Sequence, residues 1–418
     1  MKIKNIHAYE ILASGGYPTI EAAVELENGT LATASVPYGA SAGSHEATVL
    51  KDADPERWDG HGMVTAIGNI NTKIAPALIG LGSGDQRKID ETMIALDGTP
   101  NKSSLGGNAI LAVSLSVAKA AARAKKLELF EHIIGTFDTG VTLTDLPRPM
   151  AVVIEGGKHA DHTTDLQEYC LTATRQTSVS ESVRMIMETY HQLGRVLKEN
   201  DLSTNVGNEG AFAPNGIPSN EAPFAYMLEA IKRAGYVAGS EIGFSIDAAA
   251  NEFYELGLYN LKLEHRSLKA DELISYFQTW LEKYPIVSFE DMLAEDDWDN
   301  WIKLRAITDL KHVPLIGDDL TVTNMIRLQK AIDLKAISGI LIKLNQIGTL
   351  TETVDCCLLA KQHGLMTVTS HRGGGETNDT TMVDVAVAVG SAYIKVGPTR
   401  GERVAKYNRL MGIERSLL

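Results

Sequence analysis

Six short apolar segments, Ile242–Asp247 (IGFSID), Pro285–Asp291 (PIVSFED), Val313–Asp319 (VPLIGDD), Ile340–Asn345 (ILIKLN), Leu365–Arg372 (LMTVTSHR) and Ala392–Gly397 (AYIKVG), each run into polar or charged residues. The marked residues Asp247, Glu290, Asp318, Lys343, His371 and Lys395 follow one another at intervals of 43, 28, 25, 28 and 24. Each interval has room for a strand, a helix and two loops, which is the rhythm of a (β/α) barrel. Such barrels place their chemistry at the carboxyl ends of the strands. The row therefore reads as one mouth lined by three carboxylates, two lysines, an arginine and a histidine.

The rest of the chain is patterned differently. Ile20–Leu26 (IEAAVEL) and Leu31–Val36 flank Asn28-Gly29, a strong hairpin signal, so the chain opens with antiparallel strands. Pro37–Gly43 (PYGASAG) reads as small and flexible, either a plain connection or a mobile lid, and Ser44 after it is a fair helix cap. Ala109–Lys126 is an alanine-rich run of high helix propensity, and Gly135–Pro149 reads as a linker. The expected organisation is an α+β domain over residues 1–140 and a barrel over 141–418. Between the linker and the clear rhythm lie Pro149–Ile154, the β-like LQEYCLTATR (166–175), an amphipathic helix from about Val179 to Asn200, and the glycine-flanked loop GNEGAFAP (207–214).

Composition narrows the function. With 418 residues, 44% hydrophobic and 22% charged, the chain is an ordinary globular protein with enough length for two domains. Lys and Arg number 39 against 53 Asp and Glu, a formal charge of -14 that discourages binding to nucleic acid or anionic membrane. Three cysteines, two of them adjacent, imply no disulfide framework, and no stretch has the length of a membrane span, so the expected compartment is the cytoplasm.

Asp247, Glu290 and Asp318 come from three successive strand ends. Converging anions raise one another's pKa unless a cation lies between them, and an all-oxygen set favours Mg²⁺ or Mn²⁺ over Zn²⁺. Each acid could instead cap a helix or pair with a lysine. Lys343, inside an apolar strand, is either a snorkelling side chain or a base whose pKa is depressed in the mouth by burial and by Lys395. His371 and Arg372 precede Gly373-Gly374-Gly375, where backbone N–H groups and a guanidinium can hold an oxyanion. His159, Glu168 and Glu209 are candidates for acid or base work. Metals that neutralise a carboxylate, a lysine base and an acid opposite suit proton abstraction α to a carboxylate followed by loss of a β leaving group.

At these residues the chain resembles enolase. The resemblance runs through PYGASAGSHEA (37–47), LDGTPNKSSLGGNAILAVSLSVAKAAA (96–122), HADHTTDLQEY (159–169), GNEGAFAPN (207–215), PIVSFED, IGDDLTVTN, LIKLNQIGTLTET, SHRGGGET (370–377) and RVAKYNRL (403–410). It implies an α+β lid domain followed by a (β/α)8 barrel with an irregular ββαα start. It also implies reversible Mg²⁺-dependent dehydration of 2-phospho-D-glycerate to phosphoenolpyruvate, with two metal ions per site. By resemblance, Asp247, Glu290 and Asp318 hold the first Mg²⁺ and Ser41 the second; Lys343 is the base and Glu209 the acid, supported by Glu168. His159, Gln167, Lys343, His371, Arg372, Gly373 and Lys395 contact substrate. A homodimer or larger homo-oligomer is implied, and surface display is known for the family though nothing in this chain encodes it. Some positions depart from the family: its DSRGNPT reads ASGGYPT here, NGG reads EGG with Glu155, GDEG reads GNEG with Asn208, and SHRSGE reads SHRGGGE. The retained chemistry with an altered rim also implies an alternative, a related phospho- or phosphono-carboxylate as substrate.

Overall fold

The structure, a computed structural model, describes residues 1–39, 43–161 and 163–418. Strands Ile3–Leu12, Pro18–Leu26 and Leu31–Ser35 form an antiparallel sheet in that order. Alternation decides which face is buried: Ile20, Ala22, Val24 and Leu26 are wholly covered, and the helix Gly107–Lys125 lies against this sheet. Between the second and third strands Gly29 takes φ +81°, the left-handed conformation that a tight turn here needs.

The helix Gly107–Lys125 is apolar on nearly every side because it is covered from both directions. Opposite the sheet, Ser114 Oγ accepts the Leu350 N–H at 3.0 Å. Nearby, Asp90 Oδ2 accepts from the Thr351 N–H at 3.0 Å and from its hydroxyl at 2.6 Å. These bonds join the first domain to the helix Leu350–Gln362 of the barrel.

Two local expectations change. No helix starts at Ser44; its hydroxyl donates to Glu295, so the segment is fixed by a partner far along the chain instead of by a local helical turn. The segment expected as a linker is helical as far as Phe137, with a capping box of Glu128 and Glu131 at the helix start, and strand resumes at Arg148.

Eight strands close the barrel: Arg148–Glu155, Glu168–Ala173, Ile242–Asp247, Ile286–Glu290, Leu315–Gly317, Gly339–Ile342, Met366–Ser370 and Tyr393–Val396. The last pairs with the first through Tyr393↔Arg148. The second strand is antiparallel to both neighbours, whereas the other pairings are parallel. Helices Val179–Glu199 and Ala222–Arg233 then follow in succession, giving ββαα before the βα units, as the fold expectation had it. The reversal has a functional consequence. The second strand brings its amino end, Glu168, to the mouth, opposite Asp247 on one side and Glu155 on the other. Between barrel and helices, Phe224, Phe244, Phe277, Trp280 and Trp301 are fully buried, each contributing about 1.5–3 kcal/mol. Among the described residues, no helix is long and apolar enough to cross a membrane.

Candidate active site

At the carboxyl ends of the parallel strands, Asp247 and Glu290 stand in register on neighbouring strands. Lys395, from the last strand, reaches across to both. Its Nζ lies 3.0 Å from Asp247 Oδ2, 2.7 and 2.8 Å from the two Glu290 oxygens, and 2.7 Å from Glu168 Oε2. Burial works against the Lys395 charge, but Asp247, Glu168 and Glu290 outweigh it and hold the ammonium well above the usual lysine range. The acids are not fully compensated. Burial, reinforced by Asp247, pushes Glu290 well above the carboxylate range despite Lys395, and burial also raises Asp247.

Asp318 is turned to a different cation. It pairs with Lys343 Nζ and accepts from Gln346 Nε2 at 2.8 Å. Burial favours the neutral acid, yet Lys343 outweighs it and lowers the Asp318 pKa. The partner shift corrects a sequence expectation: burial opposes the Lys343 charge, as do Arg372 and Lys395, but the carboxylates around it, Asp318 first and then Glu290, together raise it above an ordinary lysine. In this state Lys343 is an ammonium, and a base role requires separation from Asp318.

The irregular side of the mouth carries a separate cluster. His159 Nδ1 is 3.2 Å from Glu168 Oε1 and 3.4 Å from Glu209 Oε1, while His371 Nε2 is 3.0 Å from Glu209 Oε2. Burial opposes the His159 charge, but Glu168 and Glu209 raise its pKa. Burial likewise opposes the Glu209 anion, but His371 and His159 hold it below the usual range. A proton in this cluster therefore rests on imidazole.

Arg372 donates to Glu46 Oε1 at 2.8 Å, and its N–H donates to Glu376 Oε2 at 3.0 Å. The segment after it is tied to the first domain by the antiparallel pairs Gly374↔Gly39 and Gly375↔Tyr38. Gly373 meets a strict steric demand: a Cβ there would lie 2.5 Å from the His159 ring and 2.7 Å from Glu209 Oε1. No larger residue fits without moving the acid cluster.

Thus Glu168, Glu209, His159, Gln167, Asp318, Lys343, His371, Arg372, Gly373 and Lys395 line one pocket, with Asp247 and Glu290 bound to Lys395 at its edge. Ser41 lies outside the described residues. The cavity has only about 20 Å³ of room, enough for roughly one water. Gln167 Oε1 is buried there without a hydrogen bond among the described residues, an acceptor left for a ligand. A larger cavity of about 770 Å³ sits at the amino ends of the strands, beside Arg148, Met366 and Tyr393, away from this chemistry.

Sequence reasoning missed several supporting residues. Asp291 accepts the N–H groups of Asp318 (2.8 Å) and Asp319 (2.7 Å), fixing the turn that aims Asp318. The doubled acids in FED and GDD are the sequence signal: Asp291 holds backbone beside Glu290, while both Asp318 and Asp319 line the pocket. Glu46 and Gln346 gave no such signal. Glu155, noted as a departure, is not on the substrate rim: it is buried behind Glu209, and burial with Glu209 beside it pushes its carboxyl up to about 8.

The donor set suits a hard divalent cation. Buried carboxylates outnumber the lysines that serve them, and Asp291, Asp318 and Asp319 bring ligand oxygens within 4.8 Å of one another. Comparison with known families gives two matches. The family model for the enolase C-terminal TIM barrel domain matches residues 143–418, and that for the enolase N-terminal domain matches residues 3–133.

Proposed function

The chain belongs to the enolase family, and from that premise we propose that it reversibly dehydrates 2-phospho-D-glycerate to phosphoenolpyruvate. One observation carries the reading: Lys343 follows the Gly339–Ile342 strand, which lies diametrically across the closed barrel from Glu168–Ala173, whose mouth end carries the His159–Glu168–Glu209 cluster. A lysine on one side of a carbanion and a proton donor on the other is the layout that removal of a C2 proton and expulsion of a C3 hydroxyl require.

Asp247, Glu290 and Asp318 would hold the tighter Mg²⁺, with Mn²⁺ as substitute, and Ser41 a second ion. Bound there, the cations would supply positive charge to the substrate carboxylate and to the enediolate that develops from it. Lys343, freed of Asp318, takes the C2 proton on Nζ. The hydroxyl leaves toward Glu209, the acid, supported by Glu168, and the proton that converts it to water comes from the His159–Glu168–Glu209 cluster. Arg372 and the Gly373 N–H face the phosphate, while Gln167 and Lys395 complete the substrate wall. Pairing of Lys395 with three carboxylates favours its ammonium form, which suits a binding cation.

A related phospho- or phosphono-carboxylate is a second reading, favoured by Gly373, whose close contact with His159 and Glu209 leaves only a backbone N–H at that wall. We further propose a cytoplasmic homo-oligomer, with residue 140 as the boundary between lid domain and barrel. The primary test is phosphoenolpyruvate formation with Mg²⁺, run beside a panel of phosphonate analogues. Turnover above a Lys343→Ala control is expected; none overturns the reading, and preference for an analogue selects the second.

A further inference from the structure

The turn that presents Glu209 is built around Glu155. Glu155 ends the first barrel strand and is fully buried. Its backbone N–H donates to Phe212 O at 2.9 Å, and Phe212 N–H returns to Val153 O at 3.0 Å. Its carboxyl group reaches into the turn between them. Both oxygens accept the Glu209 N–H, at 3.2 and 3.1 Å, and Oε1 also accepts the Ala211 N–H at 3.0 Å. Gly207 makes room for this: a Cβ there would lie 2.5 Å from Glu155 Cδ and 2.7 Å from His159 O.

On the outer side, the turn is held by other groups. Tyr190 and Thr399 hydroxyls donate to Gly210 O at 2.9 and 2.8 Å, and Arg400 donates to Gly207 O at 2.7 Å. Those contacts fix the glycines. Among the described residues, the backbone N–H groups of Glu209 and Ala211 find their acceptor in Glu155. We infer that Glu155 is a positioning residue: by accepting the backbone N–H groups of Glu209 and Ala211 it sets where the Glu209 carboxylate stands between His159 and His371.

This rests on the reading of Glu209 as part of the acid. The argument for precision is geometric. Glu209 is aimed by contacts of 3.4 Å to His159 and 3.0 Å to His371, and a displacement of about 1 Å costs on the order of 10²-fold in rate. A glutamine at 155 keeps an acceptor oxygen at the Oε1 position, within reach of both N–H groups, but puts an NH₂ where Oε2 accepts the Glu209 N–H, donor beside donor, so its effect is the smaller one. An alanine removes both acceptors and leaves two buried N–H groups unsatisfied.

The experiment is a double-mutant cycle on 2-phosphoglycerate dehydration with Glu155→Gln, Glu155→Ala, Glu209→Gln and the double variant Glu155→Gln/Glu209→Gln. For Glu155→Gln, kcat is expected to fall about tenfold, and for Glu155→Ala about a hundredfold, with KM changed little. In the Glu209→Gln background the Glu155→Gln loss disappears, because the group it positions is already disabled. Full losses that add in the double variant overturn the inference, as does wild-type kcat in Glu155→Gln beside an impaired Glu209→Gln. Wild-type activity in Glu209→Gln overturns instead the acid reading beneath it. Thermal unfolding of each variant guards against misfolding, and if Glu155→Ala does not fold, the Gln cycle decides alone.

Discussion

The regular part of the barrel, Ile286–Val396, and its irregular start, Arg148–Asp247, bring opposite chemistry to one pocket. From the regular part come Lys343, Arg372 and Lys395, each at or just beyond the carboxyl end of a strand and each tied to acids. From the irregular start and its loops come His159, Gln167, Glu168 and Glu209, gathered around imidazole. Antiparallel reversal of one strand makes the difference. It lets a residue at the start of a strand, Glu168, face residues at the ends of the others, so the His159–Glu168–Glu209 cluster lies across the barrel from Lys343. The lesson is that a mouth built only from parallel strand ends would have offered cations and metal-type acids without this proton-holding cluster.

The sharpest way to break the contrast is Lys343→Ala. If the regular part supplies the base, the dehydration rate should fall roughly 10³- to 10⁴-fold, the upper range for general base catalysis, with the fold retained because Asp318 keeps its bond to Gln346. Steady-state kinetics with Mg²⁺ check this. A loss below tenfold would move the base to another group.

Next comes Lys395→Met. It leaves Glu168, Asp247 and Glu290 buried without their common cation, which should destabilise the metal-free protein by about 3–5 kcal/mol. Urea unfolding in chelator and in saturating Mg²⁺ separates the two sources of charge. Mg²⁺ should restore part of the loss; equal losses in both conditions would mean that no ion reaches these carboxylates.

Legibility in the sequence divides along the same line. In the regular part, and at Asp247 on the strand just before it, each polar residue follows a short apolar strand, so spacing alone located Asp247, Glu290, Asp318, Lys343, His371 and Lys395 at one mouth. In the irregular start, Glu168 begins its strand and His159 and Glu209 lie between strands, so no periodic rule reaches them; the residues offer them only as acid or base candidates, and resemblance assigns each its particular role. Partnerships were less legible still. Glu46 and Arg372 are 326 residues apart, and nothing local says that they meet. Lys343 was expected to be a depressed amine, because its cationic neighbours were visible in sequence; the Asp318 oxygen that outweighs them is a matter of side-chain direction.

Asp90 tests how the first domain docks on the regular part. Burial raises its carboxyl to about 6, against 3.8 for a free aspartate, despite hydrogen bonds from Thr351, Ser114 and Gln86. A raised folded-state pKa favours the protonated acid, so this contribution is complete below about pH 4 and is lost as pH rises through about 6. Asp90→Asn should therefore flatten the stability profile between those values, removing a slope worth at most about 3 kcal/mol. Chemical unfolding across that range gives the answer; an unchanged slope would place the titration elsewhere.

The smallest expected effect probes the point where the two parts touch. Gly373 belongs to the regular part yet lies against His159 and Glu209 of the irregular cluster, with no room for a Cβ. Gly373→Ala must push the segment or the imidazole aside, at a cost of about 1–3 kcal/mol for overpacking. If the contact matters mainly for the acid cluster, kcat should fall while the unfolding midpoint shifts modestly, because Gly374 and Gly375 keep their pairing with Gly39 and Tyr38. If the segment moves instead, the Arg372 wall moves with it and KM rises at nearly constant kcat. The two parameters, measured with 2-phosphoglycerate, therefore tell which side of the mouth yields, and an unaffected enzyme would show that the two parts are less tightly joined than their spacing implies.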